Sequence, residues 1–165
     1  MSRQTFTPNP GKIKMGPAIV IYNGNQLGYT MNDSVSINLT QETTPIQPDQ
    51  ASVPIADRVT GMECTVDMEL GDASKDIIKL IPGGDETGIQ DPTGIDMLKT
   101  GKILEIYPLD TADTRAFVFR KSTPVLNGAI NFARETPSAL PLQFKCYLES
   151  AGAYIMEFAE YSGSY

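Results

Sequence analysis

The sequence predicts a mainly β domain, a β-sandwich or barrel of antiparallel strands with one short flanking α-helix. Three observations carry this: segments that alternate apolar and polar residues with period two, a strong hairpin signal at Asn23-Gly24, and fourteen glycines and twelve prolines spread through 165 residues. That length suits one domain with a real core. We place the domain at 16–153, between an extended amino-terminal arm (1–15) and a carboxy-terminal arm (154–165).

The amino-terminal arm carries Pro8, Pro10 and Gly11 with Arg3, Lys12 and Lys14 and no acid, which favours an extended segment over core. Ala18 to Tyr22 reads as a strand, Asn23-Gly24 as its turn, and Leu27 to Met31 as the return strand. Next, Val35, Ile37 and Leu39 alternate with Ser34, Ser36, Asn38 and Thr40, so one face is dry and the other wet. The same design recurs where Met62, Cys64, Val66, Met68 and Leu70 alternate with Glu63, Thr65, Asp67 and Glu69. Between these strands the segment 43–59, with Pro45, Pro48 and Pro54, reads as a long loop, and long ordered loops in small domains usually have a task.

A helix is expected over 73–81. Asp72 or Ser74 would cap it, Ile77, Ile78 and Ile81 form its apolar stripe, and Pro82-Gly83-Gly84 end it. Residues 82–100 are irregular and acidic, with a helical turn expected near Ile95 to Lys99. KILEIYPL and RAFVFRKS read as two further strands. A second two-faced pair is expected at 124–133, on Leu126, Ile130 and Phe132, and at 140–149, on Leu140, Leu142, Phe144, Cys146 and Leu148. The aromatic tail from Tyr154 reads as a short strand or arm able to dock on a neighbour.

Composition narrows the chemistry. There is no histidine, so catalysis or zinc binding that relies on imidazole is excluded, and we expect no enzyme activity, cofactor or metal. Cys64 and Cys146 lie 82 positions apart at inward-facing strand positions and read as reduced, buried residues. Asp85, Glu86 and Asp91 could offer oxygen ligands to calcium, but their spacing fits neither the twelve-residue helix-loop-helix calcium loop nor a repeated glycine-aspartate pattern, and a solvated loop is the simpler reading. Paired acids for glycoside hydrolysis could be drawn from Glu63, Asp67 and Glu69, a pairing common on open sheets. No phosphate-cradling loop is present. Neither a secretory signal nor a membrane span is seen, which points to folding in the cytosol.

Charge is distributed unevenly. The formal net charge is −7, and from Gly16 to Ala73 there is no lysine and one arginine, Arg58, against eight acids. A wet sheet face of Ser, Asn, Thr, Glu and Asp would let a polyanion slide past. An ordinary antiparallel sheet with one face in water shows the same alternation.

The order of elements resembles that of the major tail tube proteins of long-tailed bacteriophages, a fold shared with the tubes of contractile tails and type VI secretion. The likeness is carried by SVSINLTQE, the connection TTPIQPDQASVPIADRV, the strand TGMECTVDMEL, the helix DASKDIIKLIP and the later two-faced pair. It is a likeness of order and spacing, without a signature motif. The resemblance implies hexameric rings in which strands of neighbouring subunits join into a barrel around a lumen, and rings stacked into a tube that conducts double-stranded DNA without binding it. Partners implied are other copies of the chain and tape measure, tail tip and tail terminator proteins, with no membrane; the location implied is the virion tail, after assembly in host cytoplasm.

On that resemblance Ser36, Asn38, Glu63, Thr65, Asp67 and Glu69 are expected to line the lumen, with Lys145 departing from a purely acidic wall. Thr43, Pro45, Pro48, Asp49 and Pro54 are expected in a loop that reaches the adjacent ring. A capsid-decorating or surface-binding β-sandwich module of a virion is the alternative.

Overall fold

The computed structural model describes residues 18–27, 30, 34–71, 75–108, 115–132, 134–135 and 138–160. The amino-terminal arm, the end of the tail and the expected helix caps Asp72 and Ser74 lie outside them. Among the described residues eight strands and two short helices follow in chain order: β1 (Ala18–Tyr22), β2 (Asn25–Gln26), β3 (Ser36–Ile46), β4 (Ala56–Leu70), α1 (Lys75–Ile78), α2 (Met97–Thr100), β5 (Lys102–Pro108), β6 (Arg115–Leu126), β7 (Leu140–Tyr147) and β8 (Glu157–Glu160).

All strands belong to one antiparallel sheet in the order β2-β1-β5-β6-β7-β4-β3, with β8 added beside β6. The mainly β class is as expected. The architecture is not two separate sheets and not a closed barrel: it is a single open sheet with edges at β2 and β3. The sheet nevertheless curls over its own core. From β1 to β7 there are three strand-to-strand steps, roughly 14 Å along a flat sheet, yet the rings of Tyr22 on β1 and Phe144 on β7 are 5.2 Å apart. The Tyr22 hydroxyl also donates to the Ser122 carbonyl at 3.0 Å.

Strand β6 makes the corner. Leu104 pairs with Phe119 and Lys102 with Ser122, so β6 spends three residues where β5 spends two. This bulge reverses which residues face inward: Phe117 and Phe119 lie opposite Ile106 and Leu104 before it, while Ser122 and Pro124 take the inward side after it. One strand therefore serves both halves of the curled sheet. The enclosed core contains Val20, Tyr22, Leu27, Val66, Met68, Leu70, Leu104, Ile106, Phe119, Leu140, Leu142 and Phe144.

Local chemistry explains the ends of several elements. Asn23 (φ 52°) and Gly24 (φ 82°) take the left-handed conformation that a tight hairpin turn needs, and Tyr22 pairs with Asn25. Among the described residues the return strand is Asn25–Gln26, after which Leu27 plunges into the core at 2% exposure; most of the expected return strand, Leu27 to Met31, lies outside the described residues. The expected nine-residue helix is one turn, α1, because the chain tightens at once: Leu80 and Ile81 bond back three residues, to Ile77 and Ile78. Gly84 follows so closely that a Cβ there would lie 1.9 Å from the Ile78 carbonyl oxygen. A second helical turn, α2, is capped by Asp96, whose carboxylate accepts from the amides of Leu98 and Lys99.

The strand expected at 124–133 is corrected: β6 ends at Leu126. Gly128 turns the chain at φ 139°, and Phe132 is 89% exposed. The alternation there was that of an irregular segment. The beginning of the tail is a strand of this chain's own sheet, with Phe158 packed against Phe117 at 5.4 Å between ring centres.

Candidate functional site

Strands β3, β4 and β7 pair in unbroken register from Ser36 to Glu42 on β3 and from Leu140 to Cys146 on β7, and that register fixes which side chains share the outer face. Ser36, Asp67 and Gln143 form one row; Asn38, Thr65 and Lys145 form the next; Thr40 and Glu63 follow. Glu69 lies on the same face of β4, opposite Pro141. The six residues expected to line a lumen thus occupy one contiguous face, because period-two alternation places them on the same side of paired strands.

Asp67 ties this face together. Its carboxylate accepts from the Asn38 side-chain amide at 2.7 Å and from that of Gln143 at 2.9 Å, bridging three strands. Lys145 stands exposed between Thr65 and Thr123 in register, one cation among Glu63, Asp67 and Glu69. The face stops at β6, where α2 covers it: Thr123, 1% exposed, donates its hydroxyl to the Met97 carbonyl at 2.6 Å. Over β3, β4 and β7 it stays open.

The second feature is a long arm. The ladder between β4 and β7 begins at Cys64 opposite Cys146, so residues 56–63 of β4 pair with β3 alone. Beyond that point the hairpin projects from the body, and Leu39, Ile46, Val59 and Met62 are all exposed, as are Val53 and Ile55 in the connection. The expected loop at 43–59 is accordingly corrected. Thr43 and Pro45 are strand residues, paired with Val59 and Asp57, and only 47–55 is a loop, carrying Pro48, Asp49 and Pro54.

The β-branched residues Thr43, Thr44, Ile46, Val59 and Thr60 carry the strands outward. Pro45 is tolerated because β3 is an edge strand. A bulge between Glu42 and Thr43 in the pairing accommodates Thr60 as an extra residue.

The acidic loop after α1 is built for its own support. Asp85 accepts from the amides of Gly88 and Thr87 and from the Gln90 side chain, and those donors hold its carboxyl below the ordinary range. Glu86 pairs with Lys79 at 2.8 Å, and Asp91 accepts from Thr93. Among the described residues no group of three or more acidic, cysteine or histidine side chains is arranged to hold a metal. Nor is any described helix long and apolar enough to cross a membrane.

No family model matches the chain, and no curated protein matches it.

Proposed function

We propose that this chain is a structural subunit that polymerises through its sheet edge into rings, and that the rings stack into a tube of the bacteriophage tail-tube kind. On this reading the acidic face of β3, β4 and β7 turns toward the bore, and the projecting hairpin engages the next ring. The observation that carries the proposal is the eleven-residue edge strand β3, which among the described residues has a paired neighbour on one side only. An edge of that length, whose outer part is one strand of the arm with its exposed apolar side chains, is a template for pairing with another chain.

The polar face supports a conduit by its charge. Duplex DNA carries roughly one negative charge per 1.7 Å of axis, and cationic walls would capture it by releasing its counterions. Three carboxylates and one ammonium in this part of the face leave the balance negative, and the hydroxyls and amides beside them keep it hydrated.

The test is electron microscopy of the purified chain in negative stain over a wide range of concentration. Annular particles or tubes with an axial hole are expected. Compact particles without a hole at every concentration would overturn the tube and favour the decorating module.

A further inference from the structure

We propose that Cys64 and Cys146 form a redox-active pair, closed to a cross-strand disulfide by a small organic disulfide such as oxidised glutathione, and that this bond staples the root of the projecting hairpin to the body. The two residues are direct partners in the β4–β7 ladder. Opposite residues on antiparallel strands have Cα atoms about 4.5–5.5 Å apart, within the roughly 4.4–6.8 Å that a disulfide spans. The two thiols belong to facing residues of that rung. Both are free. Sequence separation hides this relation, since 82 positions lie between them.

A thiol pair sealed in a core would be inert, but this one has an entrance. Cys146 lines an open cleft of about 510 Å³ bordered by Met62, Tyr147, Tyr154 and Met156. Cys64, at 2% exposure, lies behind it. The hydrogen bond between the sulfurs draws the Cys64 thiol down from its ordinary value, while the same bond and burial push that of Cys146 up. Cys64 is therefore the first of the two to ionise.

The reaction balances in two exchanges. The Cys64 thiolate takes the Cys146 proton as the Cys146 sulfur, reached through the cleft, attacks the disulfide RSSR, forming Cys146–S–SR and expelling one RS⁻, which carries off the proton that Cys64 gave up on ionising. The Cys64 sulfur then attacks the Cys146 sulfur, forming the Cys64–Cys146 bond and expelling the second RS⁻. The two cysteine protons leave on the two RSH products. RSSR is reduced as the cysteines are oxidised.

Position gives the bond its consequence. Cys64–Cys146 is the terminal rung of the ladder, the point at which β4 loses β7 and continues only as the arm. A covalent link there stops fraying of the last rung from spreading along β4. The inference stands apart from the tube proposal, because it concerns one chain and is read on unassembled protein.

The experiment equilibrates the full chain with graded ratios of reduced to oxidised glutathione, traps free thiols by alkylation and reads them by mass spectrometry. Expected are loss of two hydrogens per chain with no glutathione retained, a Cys64–Cys146 linked peptide, and a melting midpoint raised by roughly 5–15 °C. Dithiothreitol should reverse all three. Amide exchange through residues 56–66 should slow on oxidation. Cys64→Ser should stop at glutathione held on Cys146, and Cys146→Ser should take up none.

Two free thiols in the folded wild-type chain at the most oxidising ratio would overturn the pair, as would linkage only between chains or only in denaturant. A linked pair with unchanged exchange in the hairpin would overturn the staple. The wild-type readings decide the matter even if a serine variant fails to fold.

Discussion

Tyr22 joins the two halves of the curled sheet by one ring contact and one hydrogen bond, and both are open to test. Burial, partly offset by a hydrogen bond with the Lys102 backbone, pushes its phenol up to about 12 from an ordinary 10. The folded chain therefore keeps this proton where the unfolded chain has begun to lose it. Its contribution is intact below pH 10 and is lost as pH rises toward 12, by about 1.4 kcal/mol per pH unit.

Tyr22→Phe removes the donor to the Ser122 carbonyl and should cost about 1–2 kcal/mol near neutrality. Between pH 10 and 12 the gap between variant and wild type should close and then reverse, since the wild type loses about 1.4 kcal/mol per pH unit there and the variant has no proton to lose. Urea melts of both proteins at three pH values measure it, and a constant gap would refute the assignment. Little of this was legible beforehand. The run from Ala18 to Tyr22 indicates a strand, but a contact with Phe144 depends on the curl of the sheet, which no local pattern encodes.

At the scale of elements, sequence and structure agree where the signal is local. Asn23-Gly24 makes its turn, and Ser36, Asn38, Glu63, Thr65, Asp67 and Glu69 fall on one face because strand periodicity is geometric. They part where a local pattern has two readings. Leu126, Ile130 and Phe132 alternate as a strand would, yet Asn127-Gly128 turns the chain first. Pro45 suggested a loop, although an edge strand accepts proline. The bulge in β6 at Arg120 and Lys121 has neither glycine nor proline to betray it.

The hairpin tip offers a prediction at this scale. Replacing residues 44–58 with Asn-Gly joins Thr43 to Val59, which are already register partners. None of the excised residues is buried, so the melting midpoint should stay within about 3 °C of wild type. Assembly seen by electron microscopy should be lost. An unfolded variant would show that the arm belongs to the fold, and tubes formed without it would remove its part in stacking.

For the whole molecule, the proposed tube makes the sign of the polar face the property on which passage of a polyanion would turn. Glu63, Asp67 and Glu69 share that face with Lys145, a balance of three negative charges to one positive. Substituting lysine for all three acids reverses it while leaving the apolar side of β4 untouched. Asp67 also holds Asn38 and Gln143, so the pair Glu63→Lys with Glu69→Lys serves as a second variant that keeps this bridge.

Assembled wild-type particles should retain no duplex DNA after washing at low salt. Particles of either variant should retain it and release it steeply as salt rises, because each phosphate neutralised contributes a slope of about −0.9 in log affinity against log salt. If the acids point to the bore, retained DNA should also resist nuclease for as long as the particle is intact. Variant particles with unaltered annular form and no added retention would show that this face lies away from the path of DNA. Retention with full nuclease sensitivity would place it on the outer surface, where the charge of β3 and β4 has no bearing on a channel.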